Sequence, residues 1–278
     1  MKWVVQTNFG KDSGIEHFLN VLKTEHADVD TFEYLSHSET LPPFQNYPPH
    51  QTFLYGSTRI IELAAEHPQW KDTVFFDPNA FSYTSWAKHY DSLLLNDPRE
   101  TQQMTMGEFV QKAHEFQHLE YLFVRPNLDL KEFNGGVWSY DEFLRWAQDV
   151  VNSNYATVSK DTEIVISPPH GIDAEWRLFM QNNGEVLAHS QYKHRGKMCL
   201  NRAVPQEVLD KASDIAKIWS PAPLFTLDLA ASGTGIWIVE AQSIHSSGFY
   251  DADLHHYVRG VEHYFQSLDC SHQRSKPI

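Results

Sequence analysis

Two stretches in the second half of the chain have the sequence pattern of β-hairpins, and they restrict the fold more than any other feature. Residues 174–192 alternate around Asn-Asn-Gly, and residues 224–242 alternate around Ser-Gly-Thr-Gly. Turns rich in asparagine and glycine join neighbouring antiparallel strands. Between the hairpins, residues 205–220 have the apolar spacing of a helix. The sequence therefore predicts helices packed on an antiparallel sheet, which is an α+β fold.

Residues 1–105 have a different pattern, in which short apolar runs alternate with helical segments. We therefore expect a small α/β domain at 1–105, a larger α+β domain at 106–268 and a flexible tail at 269–278. In the first domain the predicted strands are 2–8, 30–36, 51–57 and 72–78, and the predicted helices are 14–27 and 58–70. In the second domain, before the hairpins, the predicted helices are 106–119 and 139–153, with Ser139 as an N-cap, and the predicted strands are 121–126 and 162–167.

The composition excludes several classes of partner. The formal net charge is -14, from 36 acidic and 22 basic residues among 278, and such a surface repels polynucleotides. The sequence has no apolar run of about 18 residues, and its first apolar run is too short for a signal peptide, so no membrane association is expected. Two cysteines do not make a disulfide framework, which is typical of a cytoplasmic protein.

The motif His114-Glu115-x-x-His118 has the spacing of a zinc site on one helical face. The chain contains 16 histidines, so this spacing arises readily by chance. The helix is expected to end within two residues of the motif and to lead into the strand at 121–126. A polar last helical turn, where histidine is favourable, is the simpler interpretation, and zinc hydrolysis is the alternative.

The segment after this motif, FVRPNLDLKEFNGG, carries two cations and a flexible turn. Strand alternation places Phe123 and Arg125 on one face, Lys131 follows, and Gly135 and Gly136 come next. An arginine, a lysine and a mobile glycine turn are suited to clamp a polyphosphate. Solvated surface charges are the competing interpretation.

Alternation in EWRLF predicts that Glu175, Arg177 and Phe179 share one face of a strand. An arginine among aromatic residues in a half-buried strand needs an anionic partner. That partner is either a ligand or a carboxylate in a cross-strand pair.

The second hairpin carries the strongest indication of a site. Asp228 lies on its first strand, and alternation places Ile236, Ile238, Glu240 and Gln242 on one face of its second strand. Burying a carboxylate beside isoleucines is costly unless the carboxylate binds a positive group. Two carboxylates and an amide oxygen are hard ligands suited to Mg²⁺. Exposed carboxylates at the end of a strand are the alternative.

In this order and spacing, the motifs resemble the ATP-grasp superfamily, and most closely the clade in which the nucleotide lysine is accompanied by two arginines. They are FVRPNLDLKEFNGG, EIVISPPHGIDAEWRLF and TLDLA…GIWIVEAQSIHSSGFYDAD, and they span roughly residues 120–253. Neither a GxxxxGK[ST] loop nor a GxGxxG loop is present in the sequence. The resemblance implies an ATP-grasp fold, in which two α+β subdomains grip the nucleotide between facing sheets, behind a small α/β domain.

The resemblance also implies three groups of site residues. Phosphate contacts are implied for Arg125, Lys131 and Arg177, of which Lys131 and Arg177 would also be catalytic. The hinge that binds adenine would be the backbone of Ile164, Val165, Ile166 and Ser167. Magnesium would be held by Asp228, Glu240 and Gln242, although the last position is usually asparagine in the family.

The implied activity is the ATP-dependent and Mg²⁺-dependent ligation of a carboxylate to an amine through an acylphosphate. The sequence identifies neither substrate, and both small molecules and peptides are compatible with it. The Gly135-Gly136 turn is a candidate lid, and the proline-rich loop 41–49 is a candidate cover for the acceptor. His245 is a candidate base, with polar surface as the competing interpretation. The alternatives are a phosphotransferase on the same fold and a nucleotide-binding module that is catalytically impaired by Gln242.

Overall fold

The computed structural model of the protein describes residues 1–9, 14–35, 41, 47–153 and 157–274. Within these ranges the strands form sheets of three, five and four strands, and the mixed α+β architecture that was predicted is present. Residues 42–46 of the loop expected to cover the acceptor lie outside the described residues. None of the helices in the described ranges combines the length and the apolar character needed to span a bilayer.

The three-stranded sheet is parallel and has the order β2-β1-β3. Its strands are β1 (Lys2–Gln6), β2 (Asp28–Phe32) and β3 (Thr52–Tyr55), and the helices of this segment are α1 (Ile15–Thr24) and α2 (Thr58–Glu66). Parallel neighbours need a crossover connection, and α1 supplies the one between β1 and β2. The α1 residues Phe18 and Leu22 are buried in the same core as Trp3 of β1.

The strand predicted at 72–78 is wrong. Lys71–Thr73 form a 3₁₀ turn, and the described residues 74–77 belong to no strand. The Phe75 N–H donates instead to Nε2 of His245 at 2.8 Å. The apolar run has a packing role, because Val74 and Phe75 contact two different cores.

The four-stranded sheet has the order β4-β7-β5-β6. Its strands are β4 (Gln102–Thr105), β5 (Tyr121–Pro126), β6 (Gly136–Ser139) and β7 (Glu163–Ser167), and the neighbouring helices are α3 (Tyr83–Tyr90), α4 (Met106–Lys112) and α5 (Tyr140–Asn152). Ser139 caps α5 as predicted, in a capping box with Glu142. Leu122 and Val124 of β5 are buried in the core formed with α4 and α5, so alternation turns Arg125 to the other face. This sheet includes residues 102–105, and the domain division near residue 105 stays a prediction.

The helix predicted at 106–119 is shorter than expected. Helix α4 ends at Lys112, and a 3₁₀ turn follows at Ala113–Phe116. His114 and Glu115 lie in this tighter turn, so the motif does not present two imidazoles on one α-helical face. In the ranges that the structure describes, no group of three or more histidine, cysteine, aspartate or glutamate side chains is arranged to hold a metal.

The five-stranded sheet is antiparallel and has the order β10-β9-β8-β11-β12. Its strands are β8 (Ala174–Gln181), β9 (Val186–His194), β10 (Lys197–Asn201), β11 (Leu224–Ser232) and β12 (Gly235–Ser243), and the last two helices are α6 (Gln206–Ile218) and α7 (Leu254–Arg274). Both predicted hairpins are confirmed, as β8–β9 and β11–β12. Strand β10 was not predicted, and α7 includes residues 269–274, which the sequence assigned to a flexible tail.

A β-bulge at Val239 corrects the predicted face of β12. The pairing of β12 with β11 passes from Glu240 directly to Ile238, so Val239 is an extra residue. The bulge reverses the alternation along the strand. Ile236 and Ile238 therefore contact the apolar core shared with α6, whereas Glu240 faces the opposite side.

His245 is fully buried and connects three segments of the chain. Because Nε2 accepts the Phe75 N–H at 2.8 Å, the proton lies on Nδ1, which donates to the Leu54 carbonyl at 2.7 Å. The ring also stacks on Phe53. Burial lowers the pKa of His245 to about 3. With both nitrogens engaged, His245 is a structural connection and not the base that the sequence suggested.

Because of His245, the free energy of unfolding should therefore decrease as the pH is lowered. Above its ordinary pKa of 6.5 the ring is neutral in the folded and unfolded chain. Below that value only the unfolded chain takes up a proton, until the folded pKa near 3 is reached. We expect His245 to lower the free energy of unfolding by up to about 1.4 kcal/mol per pH unit across this window.

Urea unfolding of the wild type and of His245→Gln at several pH values measures this contribution. The stability of the variant should depend less steeply on pH between these two pKa values. The exposed His114→Gln is the matched control and should keep the wild-type dependence. An unchanged slope in His245→Gln would show that the ring is protonated inside the folded protein.

Candidate functional site

A cavity of about 450 Å³ lies between the four-stranded and the five-stranded sheets. Strands β5 and β6 contribute to one wall, and β8, β9, β11 and β12 contribute to the other. Five of the six side chains predicted to contact phosphate or magnesium line this cavity, namely Arg125, Lys131, Arg177, Asp228 and Glu240. The fold thus brings together residues that lie far apart in the sequence.

Arg177 and Asp228 form a buried, bidentate ion pair in the cavity wall. They are directly opposite each other on β8 and β11, with Nε–Oδ1 and Nη2–Oδ2 distances of 2.9 and 2.7 Å. The remaining Nη1 donates to the Gly248 carbonyl at 3.3 Å, and the guanidinium lies 5.0 Å from the Tyr250 ring. The register of the sheet therefore supplies the anionic partner that the sequence required for Arg177.

Arg125 connects the two sheets. Its Nη2 donates to Oε2 of Glu240 at 2.9 Å, and its Nη1 donates to the Val239 carbonyl at 3.2 Å. Both acceptors lie at the bulge in β12, which explains why the local irregularity matters for the site. The guanidinium also lies 4.6 Å from the Trp86 ring, a distance at which cation and ring attract each other.

Lys131 enters the cavity from the loop between β5 and β6. Its Nζ lies 2.9 Å from Oδ1 of Asp129, and the buried Asp129 accepts the Ser243 N–H on Oδ2 at 3.3 Å. Burial opposes the charge of Lys131, but the carboxylates of Asp129 and Glu240 outweigh it and raise the pKa of Lys131. Burial opposes the charge of Glu240 in the same way, but the neighbouring cations, first among them Lys131, lower its pKa.

A second group of polar side chains lines the cavity from β8 and β9. The buried Glu175 accepts the Tyr192 hydroxyl on Oε2 at 2.8 Å, and its Oε1 lies 3.2 Å from Nζ of Lys193. The ring of Tyr192 stacks on Tyr250 at a centroid distance of 4.8 Å. Asp129 and Tyr250 also line the cavity, but neither was selected from the sequence. The proximity of Asp129 to Lys131 in the loop was the available signal for the former.

The charges that line the cavity are balanced in number. Within the described residues they comprise four basic side chains, Arg125, Lys131, Arg177 and Lys193, and four acidic ones, Asp129, Glu175, Asp228 and Glu240. Each basic group lies between 2.7 and 3.2 Å from a carboxylate oxygen. An entering polyanion must therefore exchange existing ion pairs for new ones. The binding free energy of the polyanion is then the difference between the free energies of the new and the existing ion pairs. A cation that binds together with the polyanion would pair with the carboxylates and make binding more favourable.

Gln242 bridges the two arginine–carboxylate pairs. Its Oε1 accepts from Nη2 of Arg177 at 3.2 Å, and its Nε2 donates to Oε1 of Glu240. The orientation of the amide is fixed, because the guanidinium needs an acceptor and the carboxylate needs a donor. Gln242 is not among the described residues that line the cavity. Of the three predicted metal ligands, Asp228 and Glu240 reach the cavity, and the Gln242 oxygen is directed to Arg177.

The predicted adenine hinge does not lie at the cavity. Residues 164–166 belong to the central part of β7, which pairs with β4 on one side and β5 on the other. Their backbone groups are therefore used by the two ladders, and the predicted hinge 164–167 contributes no residue to the cavity lining. The chain beyond β7 reaches the cavity at His170 and Ile172. Nε2 of His170 is buried and has no hydrogen-bond partner among the described residues.

Gly135 allows the loop before β6 to approach Arg125 closely. A Cβ atom at Gly135 would lie 3.1 Å from Cβ of Arg125 and 3.6 Å from the Phe123 ring. A larger residue would push this loop away from the cavity wall. The turn predicted to act as a lid therefore lies against the cavity.

Comparison with known families and structures gives a consistent result. Residues 67–261 match the family model described as "ATP-grasp domain, R2K clade family 3". No curated protein sequence matches the chain. Among solved structures, D-cycloserine synthetase DcsG is 9% identical, with 95% of this chain and 100% of that chain covered and a TM-score of 0.61.

Two further structures have similar folds. The D-alanine–D-alanine ligase from Bacillus anthracis is 11% identical, covers 97% of this chain and 95% of its own, and has a TM-score of 0.60. The ligase PsnB, in a complex with a minimal precursor, is 11% identical, covers 95% of this chain and 99% of its own, and has a TM-score of 0.55. At these identities the likeness concerns the fold.

Removal of the Asp228 carboxylate should destabilise the protein strongly. Asp228→Ala leaves Arg177 buried without its carboxylate, and such changes cost about 3–5 kcal/mol. The double variant Arg177→Met/Asp228→Leu carries no unpaired charge and should lose less stability than Asp228→Ala alone. Chemical unfolding of the three proteins measures the difference.

The exposed pair of Lys217 and Asp214, 3.8 Å apart, supplies a control. Asp214→Ala should leave the unfolding midpoint nearly unchanged, because exposed ion pairs contribute little. A double variant that is less stable than Asp228→Ala would show that the pair itself, and not the unpaired charge, determines the loss.

Proposed function

Because the chain belongs to the ATP-grasp superfamily, we propose that it is an ATP-dependent carboxylate–amine ligase. The observation that carries the proposal is the convergence of Arg125, Lys131 and Arg177 with Asp228 and Glu240 on one cavity between two sheets. Three cations at one cavity suit the phosphates of a nucleotide. The fold likeness to structures named as ligases supports the same reaction class.

The proposed reaction has two steps. A carboxylate oxygen of the first substrate attacks the γ-phosphorus of ATP, which gives an acylphosphate and releases ADP. An amine then attacks the acyl carbon, phosphate leaves, and the amine loses a proton to give the amide. The task of the protein is to position the reactants and to offset charge. Lys131 and Arg177 are proposed to stabilise the charge that develops on the transferring phosphate, and Arg125 is proposed to hold another phosphate.

Asp228 and Glu240 fit a magnesium ion. They are paired in the β11–β12 ladder and line the cavity, and carboxylate oxygens are ligands that this ion prefers. When bound, magnesium neutralises phosphate charge and orients the phosphates. The arginines that now pair with these carboxylates would then be available to the phosphates. This exchange agrees with the balanced charges of the cavity.

Adenine is proposed to bind at the chain beyond β7, near His170 and Ile172. The unsatisfied Nε2 of His170 supports this position, because a buried polar atom without a partner is costly unless a ligand satisfies it. Residues 164–167 support this segment from the sheet and do not contact the base. The identity of the carboxylate and the amine is open to small molecules and to peptides. The neighbours include both a D-alanine–D-alanine ligase and a ligase bound to a precursor peptide.

A second candidate function is nucleotide binding without turnover. It is favoured by Gln242, whose amide is occupied by Arg177 and Glu240. We propose a cytoplasmic location for either function, since the exposed Cys199 is a free thiol.

Replacement of Lys131 should weaken nucleotide binding. We expect Lys131→Ala to reduce the affinity for ATP with magnesium about tenfold or more, from the loss of one charge-assisted contact. Isothermal titration calorimetry of both proteins measures the effect. The exposed Lys112→Ala is the matched control and should bind like the wild type. Equal affinity of Lys131→Ala and the wild type would remove Lys131 from the site.

Trapping with hydroxylamine tests the reaction class. Hydroxylamine takes the place of the amine, so an acylphosphate formed from any member of a panel of carboxylic acids should give a hydroxamate with ADP and phosphate. The signal should be lost without magnesium. A phosphoester with ADP alone would indicate a phosphotransferase. Nucleotide binding with no ADP formed on any acceptor would favour the binding module.

A further inference from the structure

The hairpin formed by β9 and β10 carries an unusual concentration of positive charge. Residues 186–206 contain no aspartate or glutamate, although the chain as a whole has 36 acidic and 22 basic residues. Within this stretch, residues 193–203 are all exposed. Their basic side chains are Lys193, Arg195, Lys197 and Arg202. A strongly acidic protein therefore presents one local basic surface, which we call the basic hairpin (residues 193–203).

The cations at the tip of the basic hairpin are not neutralised within the protein. Lys193 pairs with Glu175 at 3.2 Å, and Arg202 lies 3.4 Å from Asp251. Arg195 and Lys197 form no ion pair with any residue that the structure describes. Arg195 and Gly196 both have positive φ, 47° and 73°, which is the conformation of a tight two-residue hairpin turn. These two charges are thus presented on a well-defined turn.

The edge of the sheet next to these charges is open. Strand β10 pairs with β9, and no other described strand pairs with it. The opposite edge of the same sheet is covered, because the Leu95 N–H donates to the Ile238 carbonyl at 2.8 Å and Arg125 binds the Val239 carbonyl. An open edge offers unpaired backbone donors and acceptors to another strand.

Apolar side chains accompany this open edge. Met198 is 77% exposed and Leu200 is 50% exposed. Met198 is opposite Lys193 in the ladder, and Lys193 is opposite Glu175. A row of paired residues thus leads from the cavity wall, through Lys193, to the exposed edge. Exposed apolar groups beside unpaired backbone are typical of surfaces that a partner covers.

We infer that β10 docks an extended, acidic peptide segment of a partner protein by adding it as a sixth strand to the sheet. Backbone hydrogen bonds to β10 would give the segment its extended form, and its carboxylates would pair with Arg195 and Lys197. Apolar residues of the segment would cover Met198 and Leu200. A second copy of this chain is a poor occupant, because two β10 edges would bring their basic residues together.

The position of the edge gives the docking a consequence. An added strand would lie about 10 Å from β9, at about 4.8 Å per strand spacing. A chain that continues from it for three or four extended residues, at about 3.3 Å per residue, could reach the cavity beside Lys193. Use of the docked peptide as the carboxylate substrate rests on the proposed function, but the docking itself requires neither ATP nor the reaction.

Fluorescence anisotropy with the labelled peptide Ac-(Glu-Val)₄-NH₂, without nucleotide, tests the docking. We expect saturable binding that weakens as salt is added. Arg195→Glu/Lys197→Glu should bind the peptide about tenfold or more weakly and should gain affinity for Ac-(Lys-Val)₄-NH₂. Lys160→Glu, an exposed charge reversal elsewhere, should bind Ac-(Glu-Val)₄-NH₂ like the wild type. Circular dichroism and thermal melting verify that the variants are folded.

Two further measurements separate docking as a strand from simple charge attraction. Methylation of all the peptide nitrogens blocks both edges of the added strand and should abolish binding, and hydrogen exchange at Lys197–Asn201 should slow when the unmethylated peptide is bound. Equal binding of the methylated peptide, or of a single-stranded DNA 12-mer, would overturn the proposal in favour of non-specific attraction of anions. Absence of binding to the wild type would overturn it as well and would leave the charges only the role of preventing self-association. Because nucleotide binding is measured separately, either failure is distinguishable from failure of the proposed ligase function.

Discussion

The buried ion pair between Arg177 and Asp228 determines how the rest of the cavity is organised. Charges with so little exposure to water are tolerated because the guanidinium donates to both carboxylate oxygens, to the Gly248 carbonyl and to the Gln242 side chain. The pair lies on adjacent strands in register, so any slip of β8 against β11 would separate it. It therefore links the correct strand pairing of the sheet to the correct geometry of the site.

Arg125 extends the same principle across the gap between the sheets. Its two contacts at the bulge in β12 make the four-stranded sheet a neighbour of Glu240. Gln242 then joins the Glu240 pair to the Arg177 pair. The result is one connected set of charges in which the movement of one partner affects the others. The phosphates of a nucleotide that binds here would compete with the carboxylates for the basic side chains. A cation bound together with the nucleotide would pair with the released carboxylates and so favour binding.

The sequence predicted those parts of the site that depend on local pattern. Turn residues located both hairpins, and alternation placed Arg125 on the face away from Leu122 and Val124. The errors come from features that only tertiary structure decides. The extra residue at Val239 reverses the alternation and depends on pairing with β11. Residues 164–167 do not line the cavity, because β7 has a strand on each side, and nothing in their sequence reveals this.

His245 and Gln242 illustrate why residue type alone does not define a role. A histidine near a strand that was predicted to bind metal is compatible with a base, but burial and two backbone partners from distant segments hold this ring neutral. A glutamine in place of asparagine is compatible with a displaced metal ligand. Its extra methylene also lets the amide span Arg177 on β8 and Glu240, which lies two residues away on the same strand β12. The longer side chain thus joins the carboxylate of Glu240 to the guanidinium of Arg177, so Gln242 contributes to how the charged groups of the site are held together.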